Sequence, residues 1–250
     1  MLFLKIQYDD LANTYEETRE IEPIVYALLC HFLKIEKGNV ILEFGCGTGN
    51  YLKKLISDYE ISPYGLEPSE SMRMIAEHKL GGGVVSKGDH EFIPFSDNYF
   101  NKLYCIDVVH HVRELDLLFT NIKRVSAPNS LFCICTESHS QLEEKYWLKY
   151  FPSIIEIDHS RFHSVDDIID MGITAGWKHK GTFMADSEHF ASISENTMKR
   201  FEQKSLSVLH LISSDEYKRG LKNMKLDFDN GTEFCQKEGY TFILFEKGNN

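Results

Sequence analysis

The feature that most limits how this chain can fold is the run Val40-Ile41-Leu42-Glu43-Phe44-Gly45-Cys46-Gly47-Thr48-Gly49-Asn50-Tyr51. Its apolar, β-prone start predicts a buried strand, and three alternating glycines then turn the chain into a helix. Glycine accepts positive φ and has no side chain in the way, so such a turn lets the main chain approach a nucleotide-like ligand closely. The acid at the strand end narrows the ligand. Glu43 would repel a pyrophosphate and attract an amino group or another cation. The Gly-x-Gly-x-Gly spacing also departs from the Gly-x-Gly-x-x-Gly of dinucleotide sites, which disfavours a nicotinamide dinucleotide. The competing reading is a glycine turn of purely structural use.

Strand and helix signals alternate from Val40 to Glu137. Strands are predicted at 40–44, 64–67, 84–85, 102–106 and 131–135. A helix over 50–57 follows the first strand. Ser69 caps the next, and Gly81-Gly82-Gly83 stops it. Leu118, Ile122 and Val125 share one face of a helix over 115–125, and Pro128-Asn129 turns the chain into Leu131-Phe132-Cys133-Ile134-Cys135. Continuous apolar strands suit a parallel sheet covered on both faces, with right-handed crossovers. Ser164-Val165-Asp166-Asp167 has the form of a capping box and starts a helix that Gly176 stops. Strands are expected over 177–184 and 240–245. The polar stretch 186–236 reads as helical, with Ser214 capping a second helix whose Tyr217, Leu221, Met224 and Phe228 share one face.

The chain has 250 residues and a formal net charge of -11, which argues against a phosphate backbone as partner. No stretch approaches the ~20 apolar residues of a membrane span. Lys5 is followed by Asp9, Asp10, Glu16 and Glu17, unlike a signal peptide. The six cysteines show no Cys-x-x-Cys spacing, so a reduced, cytoplasmic setting without a metal is expected.

Two further acids follow successive strands. Glu67 ends the second, 18 residues beyond Gly49, where a carboxylate can accept from both ribose hydroxyls. Asp89, in Gly88-Asp89-His90-Glu91-Phe92-Ile93-Pro94-Phe95, follows the third and is placed to accept from an adenine amino group. Each alone is a common loop acid; together, in this order, they point to S-adenosylmethionine.

On these residues, and on Asp107-Val108-Val109-His110-His111-Val112 after the fourth strand, the chain resembles class I S-adenosylmethionine-dependent methyltransferases. It is similar to the small-molecule branch that includes ubiquinone and menaquinone biosynthesis methyltransferases. The resemblance covers residues 36–137 well. It implies a Rossmann-like, seven-stranded, mostly parallel sheet with an antiparallel last strand beside the fifth, and helical additions over the carboxyl edge. It further implies that Glu43 with the Gly45, Cys46, Gly47 and Gly49 turn holds the methionine end. Glu67 and Pro68 would then serve the ribose, Asp89 and His90 the adenine, and Asp107 the methionine side. Departures are Asn101, where Asp is usual, and the long segment before the last strand. A single domain over 1–250 is expected: 1–35 a helical cap, 36–137 the cofactor core, 138–164 and 186–236 lid segments, 165–185 and 237–250 completing the sheet.

The acceptor is less legible. No Asn/Asp-Pro-Pro-Tyr/Phe motif follows the fourth strand, which favours a small molecule over a nucleic-acid or glutamine amide target. His111 is a candidate base and His110 a candidate substrate contact, against local packing roles. Tyr8, Tyr15 and Arg19 fall in a predicted N-terminal helix; Tyr15 is a candidate near the transferred methyl and Arg19 a candidate substrate contact. Tyr146 and Trp147, with Tyr150, Phe151 and Phe162, form either an aromatic pocket or the core of an extra helix. Asp158, His159 and His163 make no strong metal pattern. The leading expectation is methyl transfer to a small molecule. The alternative is a non-catalytic S-adenosylmethionine sensor or interaction module.

Overall fold

The computed structural model describes Asp9 and residues 12–249. In chain order the helices and strands are α1 (Ala12–Thr18), α2 (Pro23–Leu33), β1 (Val40–Phe44), α3 (Asn50–Asp58), β2 (Ser62–Leu66), α4 (Glu70–Leu80), β3 (Val85–Ser86) and β4 (Phe100–Ile106). There follow α5 (Leu115–Val125), β5 (Ser126–Thr136), α6 (His139–Glu143), α7 (Ile154–Arg161), α8 (Val165–Thr174), β6 (Trp177–Ser192), α9 (Glu195–Glu202), α10 (Ser214–Asp229) and β7 (Glu233–Lys247).

These residues divide into two compact units. The larger comprises Glu20–Thr136, His163–Ala185 and the chain from Tyr240; the smaller comprises the chain through Arg19, Glu137–Phe162 and Asp186–Gly239. The sheet runs β3-β2-β1-β4-β5-β7-β6. Its first five strands pair in parallel, and β7 pairs antiparallel with β5 from Leu131↔Glu246 to Thr136↔Thr241. This is the expected seven-stranded order, with the last strand beside the fifth.

Successive strand residues point to opposite faces, and here both faces are covered. Leu42, Leu103, Phe132 and Phe245 lie in register across four strands and pack with Leu118, Phe119 and Ile122 of α5 and Ile168 of α8. On the other face Ile41, Tyr104, Cys133, Cys135 and Phe242 meet Val25, Leu29 and Leu33 of α2 and Leu55 of α3. That double cover explains why β1 and β5 read as unbroken apolar runs. Each fully buried side chain of this size contributes about 1.5–3 kcal/mol. Gly172 lets α8 lie flush on the sheet, since a Cβ there would fall 2.4 Å from Phe245 Cε1.

The smaller unit has its own core of Tyr150, Phe151, Ile154, Met198, Phe201, Leu209 and Met224. Tyr217, Leu221 and Phe228 of α10 pack against it, the face expected from their spacing. Three expectations are corrected. Residues 186–192 and 233–236 are strand, because β6 and β7 extend well beyond the expected spans. The cap of α10 is Ser213, not Ser214: Ser213 is extended and its hydroxyl accepts from Glu216 N–H at 3.2 Å. Pro128-Asn129 lies inside β5, where the β4–β5 register shifts between Phe100 and Lys102 and Asn129 takes φ 59°.

Candidate active site

The chain runs from β1 outward to β2 and β3, then returns to add β4 on the other side of β1. Open α/β sheets place ligands at such a switch point, beyond the carboxyl ends of the strands. Gly45 and Cys46 N–H both donate to Leu66 O (2.8 and 3.0 Å), tying the glycine turn to the end of β2. Gly45, Gly47 and Gly49 take φ of 73°, 53° and 80°. A Cβ on Gly45 would meet Val108 Cγ2 at 2.5 Å, so the turns after β1 and β4 lie against each other.

Glu67 is 6% exposed. Its Oε2 accepts from Gly47 N–H and its Oε1 from Ser69 N–H, both at 2.9 Å. A carboxylate oxygen carries two lone pairs, so an acid held in this way can accept from a hydroxyl as well as from an amide. Arg73 fixes this corner by donating to the Glu67 and Pro68 carbonyls at 3.1 and 2.8 Å. Glu43 is 3% exposed and in register between Gly65 of β2 and Tyr104 of β4. Burial pushes its carboxyl up to about 8, the Tyr104 hydroxyl (3.1 Å) and the Leu52 main chain pull it down, and the Glu67 charge raises it further. Burial, then Glu43 and Glu67, push the Cys46 thiol up as well. The buried Thr48 hydroxyl has no hydrogen-bond partner among the described residues. A glycine cradle that side chains would fill, an orphaned hydroxyl and the two buried acids Glu43 and Glu67 suit a ligand with hydroxyls, and a positive charge bound there would favour the ionised form of Glu43.

After β3, Asp89 Oδ1 accepts from the Glu91 and Phe92 amides (2.9 and 3.1 Å), and Asp89 N–H donates to Phe92 O (3.1 Å). Only glycine fits at 88, where a Cβ would fall 2.6 Å from Phe92 O. This closed loop leaves Asp89 Oδ2 for an outside donor. Phe92 is 66% exposed, whereas Ile93 is buried in the core. His90 Nε2 meets Glu114 Oε2 at 2.9 Å, and Asn121 donates to the His90 and Glu91 carbonyls. After β4, Asp107 adopts φ 54°, a strained choice for a residue with a Cβ and one that clusters at functional sites. Its N–H donates to Cys135 O at 3.0 Å. His110 and His111 lie in the 3-10 turn Val109–His111 with ring centroids 4.0 Å apart; His111 is exposed and His110 half-buried.

Glu43, the glycines, Cys46, Glu67, Pro68, Asp89, His90, Asp107, His110 and His111 thus all belong to the larger unit. Tyr15, Arg19, Tyr146 and Trp147 belong to the smaller. There the Arg19 guanidinium lies 5.2 Å from the Tyr15 ring centroid. Tyr146 stacks on Phe234 at 5.8 Å, and burial pushes its hydroxyl up to about 12. Trp147 packs against Phe201 at 5.7 Å. Tyr8 lies outside the described residues. Asp158 pairs with Arg161, His159 with Glu143, and His163 Nε2 meets Val112 O. Tyr104, Arg73, Thr48 and Asn121 were not singled out in the sequence. Only the strand register, which sets Tyr104 beside Glu43, would have pointed to one of them.

Residues 42–134 match a family model described as a methyltransferase domain. An uncharacterized methyltransferase of Anoxybacillus flavithermus is 37% identical over 89 residues, which is 36% of this chain and 42% of that protein. One from a Geobacillus species is 33% identical over 108 residues, 43% of this chain and 50% of its own. The chain therefore spans about half the length of the curated relatives it matches. Among solved structures, a candidate methyltransferase from an antibiotic biosynthesis pathway of Anabaena variabilis has a TM-score of 0.67 at 20% identity, covering 90% of this chain and 98% of its own. Phosphoethanolamine N-methyltransferase 2 of Haemonchus contortus, solved with phosphomonomethylethanolamine and S-adenosylhomocysteine, has a TM-score of 0.59 at 19% identity, covering 96% of this chain and 57% of its own. At these identities the structural likeness shows the fold.

Proposed function

We propose that this chain, whose residues 42–134 match a methyltransferase domain, is a class I S-adenosylmethionine-dependent methyltransferase that transfers a methyl group to a small-molecule acceptor. The observation that carries this is the buried pair Glu43 and Glu67 on one glycine turn. The cofactor supplies a methyl on a sulfonium, ready for in-line displacement. Glu43 would face the cationic methionine end, Glu67 would accept from the ribose hydroxyls, and Asp89 beside Phe92 would bind the adenine edge. Asp107, His110 and His111 would line the methionine side, with His111 taking a proton where the acceptor is protonated. Tyr15, Arg19, Tyr146 and Trp147 are the proposed acceptor contacts. A small acceptor fits the -11 charge and the lack of a Pro-Pro motif after β4. The structural relative acting on phosphoethanolamine adds support. Kinship with the quinone-biosynthesis branch and a cytoplasmic location are part of the same proposal. No helix among the described residues is long and apolar enough to cross a membrane.

Calorimetry tests the site. S-adenosylmethionine and S-adenosylhomocysteine should bind and NAD should not. Glu67→Ala and Asp89→Ala should each cost about 1–3 kcal/mol of affinity. Unchanged affinity in both variants would remove the assignment. Binding without S-adenosylhomocysteine formation across acceptor pools would favour the sensor alternative, and tight, salt-sensitive nucleic-acid binding would overturn the acceptor class.

A further inference from the structure

Tyr104 sits in register beside Glu43 on the neighbouring strand and is fully buried. Its ring packs in the cluster of Ile41, Leu55 and Cys133, an apolar setting that phenylalanine would fill as well. The hydroxyl is the difference. A hydroxyl buried without a partner costs free energy, and here it donates to Glu43 Oε2 at 3.1 Å. Burial, then the Glu43 charge, push the loss of its proton well above the ordinary range, so Tyr104 remains a donor. The groups that act on Glu43 come from each element around it: the Tyr104 hydroxyl of β4, the Leu52 main chain of α3 and the Glu67 carboxyl after β2. The thiols of Cys46 in the glycine turn and Cys105 in β4 feel its charge in turn. None of these groups is a cation. A buried acid with hydrogen-bond donors and no cation lacks the partner its charged form needs, and the methionine end of S-adenosylmethionine brings one.

Resting on the reading that Glu43 meets the cofactor's ammonium, we propose that Tyr104 is the positioning residue of that contact. Its hydroxyl holds the Glu43 carboxyl in place and stabilises the carboxylate that forms when the ammonium binds, and the Glu43 proton leaves to solvent. The free chain holds Glu43 as a neutral acid at neutral pH, burial having raised it to about 8. The bound ammonium favours the charged form. The carboxyl O–H bond then breaks, its electron pair stays on oxygen, and its proton passes to a buffer base. A hydrogen bond to a carboxylate is shorter and roughly twice as strong as one to a neutral acid. Tyr104 therefore contributes more to the bound state than to the free one, and its hydroxyl adds to cofactor affinity. Phenylalanine would keep the packing and lose this difference. Asp107, His110 and His111 after β4 are the remaining titratable groups proposed for the methionine side.

The test uses the full chain and calorimetry at about pH 6.5, below the ordinary α-amino range. The ligands are S-adenosylhomocysteine and methylthioadenosine, which has the adenosine and the thioether but no ammonium. Repeating each titration in phosphate and in Tris, buffers of different ionisation enthalpy, counts the protons released. Wild type should release about one more proton than Glu43→Gln on binding S-adenosylhomocysteine, and no more than Glu43→Gln on binding methylthioadenosine. Subtracting the Glu43→Gln count removes any exchange at Asp107, His110 or His111. Tyr104→Phe should bind S-adenosylhomocysteine about tenfold more weakly than wild type, and methylthioadenosine equally well. A tyrosine that only fills the core would weaken both ligands or neither. Should Tyr104→Phe not fold, fluorotyrosine at position 104, a stronger donor on the same ring, should tighten S-adenosylhomocysteine alone. An equal proton count in wild type and Glu43→Gln would overturn the proposal, and equal affinity as well would overturn the site reading with it. Where Glu43→Gln does lose the proton but the change at Tyr104 alters both ligands alike or neither, Glu43 keeps its place and the role of Tyr104 falls.

Discussion

Glu43 is held between two neighbouring strands with a tyrosine hydroxyl and a main-chain group for partners and a second carboxylate nearby. Burial raises its carboxyl from an ordinary 4.5 to about 8. Below pH ~4.5 the folded and unfolded chains both hold this proton. Between that pH and about 8 the unfolded chain ionises while the folded one stays neutral, so stability falls as pH rises through the window and this group adds no further slope above it. Asp158, raised by burial to about 6, acts with the same sign, so the bare slope does not isolate Glu43. Comparison with Glu43→Gln does. Denaturant midpoints at pH 5 and pH 8 should show wild type losing more stability than the variant across that interval; equal losses would mean that Glu43 is ionised in the folded protein. Glu43 itself was legible from its place in the glycine motif. Tyr104 was not, because it lies 61 residues away in sequence and only strand register joins the two.

Elements were legible where periodicity and punctuation agreed. The helix over 115–125 was found with its limits, since Leu118, Ile122 and Val125 mark its buried face. Residues 186–192 were missed because Asp-Ser-Glu-His-Phe-Ala-Ser shows no apolar alternation; the segment is a strand because β7 pairs with it, and such context overrides propensity. The glycine turn allows a controlled test of its packing. Gly45 and Gly38 both have positive φ, at 73° and 84°. A Cβ at 45 would strike Val108, whereas one at 38 would meet nothing within 4 Å. Both alanine variants carry the backbone strain of about 1–2 kcal/mol, but Gly45→Ala adds an overpacking cost of about 1–3 kcal/mol. Chemical denaturation should therefore place Gly45→Ala below Gly38→Ala by that increment. Equal destabilisation would mean that the turn after β4 yields freely and does not brace the glycine turn.

Both units are assembled from three separated segments. The larger was readable because apolar runs such as β1 and β5 alternate with helices over one long stretch; for the smaller, the segments and the buried face of α10 were legible but not the strand over 186–192. Their division also fixes where a bound cofactor should act on stability. Glu43, Glu67, Asp89 and Asp107 all lie in the larger unit. The chain has two tryptophans, Trp177 buried in the larger unit and Trp147 in the smaller. Trp147→Phe leaves Trp177 as sole reporter, its indole N–H donating to Phe119 O at 3.2 Å in the core. A ligand that binds only the folded state, at a hundredfold excess over its Kd, stabilises it by about 2.7 kcal/mol. For a protein of this size each kcal/mol shifts the midpoint by roughly 2–4 °C. S-adenosylhomocysteine should therefore raise the Trp177-reported midpoint by roughly 5–11 °C, and NAD at the same concentration should leave it in place. In the reciprocal variant, Trp177→Phe, the Trp147 signal should move as well only where the two units unfold together. A Trp177 midpoint unmoved by S-adenosylhomocysteine, or moved equally by NAD, would place cofactor recognition outside the turn that Glu43 and Glu67 define.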